Sequence, residues 1–314
     1  MSSTVELADL KHSTDVQKVK EKIRQVQRSL VEMTSSMGVH LGSSLSCLEI
    51  IATLYFLKMR HTPHRPQWKE RDRFILSKGH AAPVLYAVLA EAGYFPKEEL
   101  RTLKRIDSRL QGHPDLRTPG VDAPSGSLGQ GISIGIGMAL AAKMRGSRSR
   151  VYVLAGDGEC DEGQVWESLM TAVHLRLDNL VLIIDRNGWQ LDDRTEEVKR
   201  KVPLRSKLES FGWETYSING HDVEKIVEVL DAAERAEQPV AIIAHTKRGK
   251  GISFLEDSNK GHKLKLSEDE YLAAIKELEM RRKGLRLRVD NVALHLVIVG
   301  LAQGFFEMGF GLEF

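Results

Sequence analysis

Cysteine is nearly missing from this chain. Among 314 residues only Cys47 and Cys160 carry a thiol, too few for a disulfide framework or a cysteine-built zinc site, which fits a reducing cytoplasm. Charge of one sign is missing too, because 45 Lys and Arg stand against 43 Asp and Glu for a formal net charge of +2. Aromatic residues are 6% of the chain and do not interleave with a basic stripe, so no nucleic-acid partner is expected. The first residues, Met1-Ser2-Ser3-Thr4-Val5-Glu6-Leu7, show no basic segment leading into an apolar run, so no secretory signal is expected. What is present is ordinary for a globular protein: 42% hydrophobic and 28% charged residues, in a length that suits one large α/β domain with appendages.

The chain is organised around residues 151–189. Val151-Tyr152-Val153-Leu154-Ala155 runs into Gly156-Asp157-Gly158-Glu159, then a helical stretch, then Asn179 to Asp185, then Arg186-Asn187-Gly188-Trp189. Two short apolar runs rich in Val, Ile and Leu, joined by one helix, are the pattern of a buried βαβ unit. The first strand delivers the Asp157 carboxylate to its C-terminal end, and the second delivers the Asn187 amide about thirty residues later, a span that suits a crossover. Open α/β sheets bind ligands at that edge, where strand ends and helix N-termini leave a crevice. Asp157 and Asn187 are hard oxygen donors suited to Mg²⁺ or Ca²⁺. Gly158, without a Cβ, lets the backbone approach a diphosphate.

Gly156-Asp157-Gly158 closed by Asn187 resembles the motif of thiamine diphosphate (ThDP) enzymes. The resemblance implies that Asp157, Asn187 and the backbone carbonyl of Trp189 hold Mg²⁺, with Ca²⁺ or Mn²⁺ as substitutes, under the cofactor's diphosphate. Gly156, Gly158, Glu159 and Asn187 would then line the cofactor.

Further segments narrow the resemblance to the transketolase group. Residues 11–37 carry apolar positions at helical spacing, Val16, Val19, Ile23, Val26, Leu30 and Met33, which predicts an amphipathic helix. A Gly/Ser-rich loop follows and opens a second apolar helix, Cys47 to Lys58. On that loop His40-Leu41-Gly42 matches the group's His-x-Gly, although Val39 stands where glycine is expected. Asp72-Arg73-Phe74-Ile75-Leu76-Ser77-Lys78-Gly79-His80 closely resembles a segment whose histidine lies beside the cofactor, here His80. Gln111-Gly112-His113-Pro114 supplies a third histidine, His113. The Gly/Pro loop 117–131 leads into a small-residue helix, Ile132 to Lys143. The family's counterpart of Gly126, Ser127 and Leu128 supports the cofactor's rings. A fourth histidine, His262, follows Asn259-Lys260-Gly261 and corresponds to one that reaches the diphosphate.

Glu162 and Glu167 sit on the expected helix Asp161 to Leu175. By spacing they are solvated acids near a helix N-terminus; by resemblance they match glutamates at the family's subunit contact. Cys160 reads either as a packed small residue or as an activated thiol. Beyond Trp189 the alternation continues: Val202 to Phe211 helical, Trp213 to Ile218 a strand, Asp222 to Ala236 a helix, Pro239 to Ala244 a strand, and Leu266 to Met280 a closing helix. The expected fold is α/β, a doubly wound, mostly parallel sheet flanked by helices, of the diphosphate-binding ThDP type. Residues 1–280 would form this domain and residues 281–314 an apolar tail. The tail approaches a membrane span in length, yet His295, Gln303, Glu307 and repeated glycines interrupt it, so burial on a partner is the favoured reading and no membrane is expected.

The resemblance covers residues 12–280 and stops short of the pyrimidine-binding domain that follows in full-length transketolases. ThDP chemistry needs from that domain a glutamate for the aminopyrimidine. The expectation is therefore the N-terminal subunit of a split transketolase, with a separate pyrimidine-domain partner in an α₂β₂ assembly. It would transfer a two-carbon ketol unit from a ketose phosphate to an aldose, with His40, His80, His113 and His262 on donor or cofactor oxygens. Alternatives are an enzyme like 1-deoxy-xylulose-5-phosphate synthase, the α-subunit of a 2-oxo acid dehydrogenase, or a non-catalytic cofactor-binding paralogue.

Overall fold

A computed structural model describes residues 2–191, 193–201, 203–258, 260 and 263–282. The expectations placed on Asn259, Gly261, His262 and residues 283–314 lie outside the described residues. The first element, α1 (Ser2–Ser36), is longer than the sequence pattern predicts, because helical backbone continues through the N-terminal residues that lack its apolar spacing.

The stretch expected as a Gly/Ser-rich loop leading into one helix, Cys47 to Lys58, is helical from Leu41 and comes in three pieces. α2 (Leu41–Ser46) and α3 (Leu48–Thr53) meet at Cys47, and a π-helical turn, Leu54–Lys58, follows. Gly42-Ser43-Ser44 has the composition of a loop, yet Ser43 and Ser44 are buried within α2. β1 (Arg73–Leu76) ends at a short 3₁₀ turn, Gly79–Ala81, and α4 (Ala82–Glu91) starts with Pro83 in its first turn, where its missing N–H costs nothing.

α5 (Gln130–Met144) precedes β2 (Val151–Gly156), and the helix expected from Asp161 begins instead as a 3₁₀ turn, Gly158–Asp161, followed by α6 (Gly163–His174). β3 (Leu180–Arg186) runs into a hairpin that the sequence does not announce, β4 (Trp189–Gln190) and β5 (Asp193–Arg194), each two residues long. The remaining elements are α7 (Thr195–Val198), α8 (Leu204–Ser210), β6 (Glu214–Asn219), α9 (Val223–Ala233), β7 (Val240–His245) and α10 (Glu268–Arg282). The Asp222 carboxylate caps α9 by accepting the Lys225 N–H at 3.1 Å.

The main sheet is five-stranded and parallel, in the order β1-β2-β3-β7-β6. Its central strands are buried almost end to end, which is why they read as continuous Val, Ile and Leu. β6, at an edge, mixes buried and exposed residues. On one face Ile75, Val153, Leu182 and Ile243 pack with residues of α5, α6 and α8 into a single cluster. The alternate residues Phe74, Tyr152, Ile183 and Ile242 are equally buried, and α1, α3, α4 and α9 pack on one another as a second helical layer. Gly135 allows α5 to lie close on the sheet, since a Cβ there would meet Val153 Cγ2 at 2.5 Å.

The chain divides into two compact units, residues 1–275 and 276–314. In the described part of the second, Arg281 bridges to Glu277 at 2.8 Å along α10. Among the described residues no helix is long and apolar enough to cross a membrane.

Candidate functional site

Register decides what reaches the C-terminal edge of the sheet. Gly156 pairs with Asp185, so Asp157 and Asn187 emerge at the tips of adjacent parallel strands. Asp157 is 4% exposed and Asn187 8%. The Asp157 carboxylate accepts the Gly158 N–H at 3.0 Å on Oδ1, and the Gly188 N–H at 2.9 Å and the Thr195 hydroxyl at 3.2 Å on Oδ2. It therefore touches the backbone directly after Asn187. The Asn187 Oδ1 accepts the Trp189 N–H at 3.0 Å. Burial, and next the negative charge of Asp185, push the Asp157 carboxyl up to about 6, against the hydrogen bonds from Gly188, Gly158 and Thr195.

These residues fit a divalent cation and the diphosphate it would carry. A buried carboxylate that resists ionisation beside a second carboxylate is stabilised by a nearby positive ion. The side-chain donors that meet here, the Asp157 carboxylate and the Asn187 amide oxygen, are hard oxygens and few enough to leave room for waters and phosphate oxygens. Among the described residues no cluster of three or more His, Cys, Asp or Glu offers a competing metal site.

Beneath Asn187 lies a charged group that motif reading missed. Lys78 is 1% exposed and Asp185 0%, and their side chains form a buried ion pair. Burial disfavours the ammonium, but Asp185 more than reverses this, and Lys78 is held above the ordinary lysine range. Thr246 and Ser46 also donate their hydroxyls to Asp185. The available signals were a lone carboxylate closing an otherwise apolar strand and a lysine inside the Ser77-Lys78-Gly79-His80 segment.

Glu159, expected to line the cofactor, is 3% exposed and has both oxygens engaged. It accepts Ser77 Oγ, the Gly129 N–H at 2.8 Å and the Gly156 N–H at 3.0 Å. It thereby ties the ends of β1 and β2 to the start of α5. Burial raises its pKa, opposed by Ser77, Gly129, Gly156 and Lys78.

Three of the four expected histidines fall within the described residues and share one rim. His40 precedes α2 and meets His80 edge to face, ring centroids 5.3 Å apart. His113 is exposed, and its ring lies 3.1 Å from where a Gly126 Cβ would stand. Gly126, at φ +147°, is pressed in turn against Gly79, whose own Cβ would lie 2.8 Å from the Gly126 nitrogen. Glycine at both positions is what lets the His80 and His113 loops converge. Ser127 is exposed and Leu128 37% exposed beside them.

Trp189 stands half-buried at the end of the hairpin. Its indole N–H donates to Asp257 at 2.9 Å, and the Arg194 guanidinium covers its ring at 4.2 Å. Glu162 and Glu167 are exposed on the α6 side. Cys160 is 2% exposed, and burial drives its thiol far above the usual range, so it is the packed small residue and not an activated thiol.

Residues 16–292 match the family described as transketolase, thiamine diphosphate binding domain. The 6-deoxy-6-sulfo-D-fructose transketolase subunit SqwG of a Clostridium species is 44% identical over 274 residues, 86% of this chain and 96% of that protein. An apulose-4-phosphate transketolase subunit from Phocaeicola vulgatus is 39% identical over 257 residues, 81% of this chain and 92% of that protein. The crystal structure of Campylobacter jejuni transketolase superposes with a TM-score of 0.76 at 30% identity, covering 88% of this chain but 44% of the larger one. With its parallel sheet, flanking helices and matching sequence, the chain belongs to the transketolase family as a thiamine diphosphate-binding domain.

Proposed function

We propose that this chain is the diphosphate-binding subunit of a split transketolase. The observation that carries the reading is the meeting of Asp157 with the Asn187-Gly188 backbone at the tips of two neighbouring strands, 2.9 Å from carboxylate to amide. In this reading residues 1–280 are the domain, and Asp157, Asn187 and the Trp189 carbonyl hold Mg²⁺ beneath the cofactor's diphosphate. Gly126, Ser127, Leu128, Gly156 and Gly158 shape its bed, while Glu159 fixes the loops around it. When bound, thiamine diphosphate supplies a carbanion equivalent at its thiazolium C2 that allows the C2–C3 bond of a ketose to break and re-form on an aldose.

The chain's own contribution is to bind, orient and move protons. In this reading His40 and His262 exchange protons with substrate hydroxyls, His80, in ring contact with His40 on the rim, lies beside the cofactor, and His113 borders the same loops. His262 completes the proposed set. The groups that read the far end of the donor are assigned to a separate pyrimidine-domain subunit in an α₂β₂ assembly. Support for that partner comes from relatives whose names call them transketolase subunits, and the sugars in those names support anionic ketoses, phosphorylated or sulfonated, as the proposed donor class. A cytoplasmic setting belongs to the same reading and is supported by the scarcity of cysteine.

Mixing experiments test this. Ketol transfer from a ketose phosphate should require this chain, a pyrimidine-domain subunit, thiamine diphosphate and Mg²⁺ together. Pyruvate consumption in the same mixture would favour a synthase instead, and cofactor binding without turnover a non-catalytic paralogue. Asp157→Ala should abolish metal-dependent thiamine diphosphate binding by calorimetry, and unimpaired binding would remove the metal assignment.

A further inference from the structure

Asp185 occupies the end of a strand whose other core positions are aliphatic, and it is fully buried. Four segments converge on its carboxylate. Oδ1 accepts the hydroxyl of Thr246, one residue past β7. Oδ2 accepts the ammonium of Lys78 beyond β1, the hydroxyl of Ser46 at the end of α2 at 2.6 Å, and the Nδ2 of Asn187 at 3.3 Å. Ser46 Oγ also lies 3.3 Å from Asn187 Nδ2 and 3.5 Å from Lys78 Nζ. Its single proton is directed at Asp185, which is nearer than its other acceptor, the Ser43 carbonyl at 2.9 Å. Toward Asn187, Ser46 therefore acts as an acceptor.

The two ends of an asparagine amide are chemically opposite, and here their surroundings are opposite as well. Both atoms facing Nδ2 accept hydrogen bonds, whereas the Trp189 N–H facing Oδ1 donates one. Turning the amide by half a rotation would set its oxygen against a carboxylate and its NH₂ against an N–H. The contacts with Asp185 and with the Trp189 N–H would both become repulsive, in a site too buried for water to relieve them, and Ser46 could meet the turned oxygen only by giving up its hydrogen bond to Asp185. Without Lys78 the same carboxylate would be a buried charge with no counter-ion, so the ion pair is what makes this orienting group tolerable within the strand.

We propose that Asp185, paired with Lys78, is a positioning residue that fixes the Asn187 amide with its oxygen on the Trp189 side, setting a cation ligand in place before any cation arrives. The inference rests on the cation assignment above and deepens it. The same carboxylate joins the Lys78-Gly79-His80 segment and the Thr246 turn to Asn187, so one buried group sets the metal side and part of the histidine side of the cleft.

The test uses the full chain, with Mn²⁺ as the probe, titrated by electron paramagnetic resonance at fixed thiamine diphosphate. Asp185→Leu combined with Lys78→Met removes the acceptor facing Asn187 Nδ2 without stranding a buried charge, and it should weaken Mn²⁺ binding about 10- to 100-fold, the usual effect of removing the partner that orients a ligand. Saturating Mn²⁺ should then restore thiamine diphosphate affinity, which a general loss of structure would not allow. Ser46→Ala leaves no buried charge unpaired, and it should weaken Mn²⁺ about two- to tenfold through the loss of one hydrogen bond. If the double variant does not fold, Ser46→Ala decides the matter. Wild-type affinity in every folded variant overturns the inference and leaves the functional reading standing. Failure of the wild-type chain to bind Mn²⁺ with thiamine diphosphate overturns both.

Discussion

At the floor of the cleft Asp157, Glu159, Lys78 and Asp185 are between 0 and 4% exposed, and every carboxylate accepts hydrogen bonds from at least two neighbours. On the rim above, His40 and His80 are half-buried, His113 is exposed, and glycines set how closely their loops approach. The floor is thus an electrostatic construction finished within one chain, whereas the rim is a steric arrangement with solvent on one side. Floor residues should accordingly fail by destabilising the protein, and rim residues by altering what the protein does while leaving its stability nearly untouched.

The sharpest challenge to that division is Lys78→Met. Removing one member of a buried ion pair strands the other charge, and the expected loss is about 3–5 kcal/mol of unfolding free energy, readable by urea denaturation. A loss under about 1 kcal/mol would mean that Asp185 is far more hydrated than its burial implies.

Next in size is a pH effect at Asp157. Its carboxyl is raised from 3.8 to about 6 in the folded protein, so between those values the folded state keeps a proton that the unfolded chain releases. The stabilisation is complete below pH 3.8 and gone above about pH 6, on the order of 3 kcal/mol across the window at 1.36 kcal/mol per unit. In chelator, wild-type protein should lose this much more stability on going from pH 4 to pH 7 than Asp157→Asn does. Equal slopes would show that the carboxylate ionises freely.

Gly79→Ala probes the seam between floor and rim. Its Cβ would sit 2.8 Å from the Gly126 nitrogen and 2.9 Å from the Ser125 carbonyl carbon, an overpacking that costs about 1–3 kcal/mol. The smallest effect belongs to His113→Ala. With an exposed ring and its backbone carbonyl accepting the Tyr86 hydroxyl at 2.8 Å, this change should stay within about 0.5 kcal/mol by thermal denaturation while lowering ketol transfer in the proposed mixing assay.

Legibility in the sequence follows the same line. The strands around Gly156-Asp157-Gly158 and Asn187 were readable because buried parallel strands leave long aliphatic runs, and the spacing between them fits a crossover. The Lys78–Asp185 pair was not, since its members lie 107 residues apart and local periodicity carries no information about such a contact. The β4–β5 hairpin escaped notice because two-residue strands have no alternation to read. The helical state of 41–46 was hidden because Gly42, Ser43 and Ser44 have the composition of a loop, and the burial of the two serines depends on tertiary packing. Glu159 was legible as a neighbour of the motif but not as a tie between three segments, since that depends on where β1 and α5 end.

The Gly156 to Asp185 pairing carries a consequence for how the protein matures. Side chains alternate across a strand, so a one-residue slip between β2 and β3 would send Asp185 to the opposite face and separate it from Lys78. Parallel pairing across a helical crossover is a slow, non-local event, and closure of the Lys78–Asp185 pair would serve as a late checkpoint, reached only after the sheet has zipped in its proper frame.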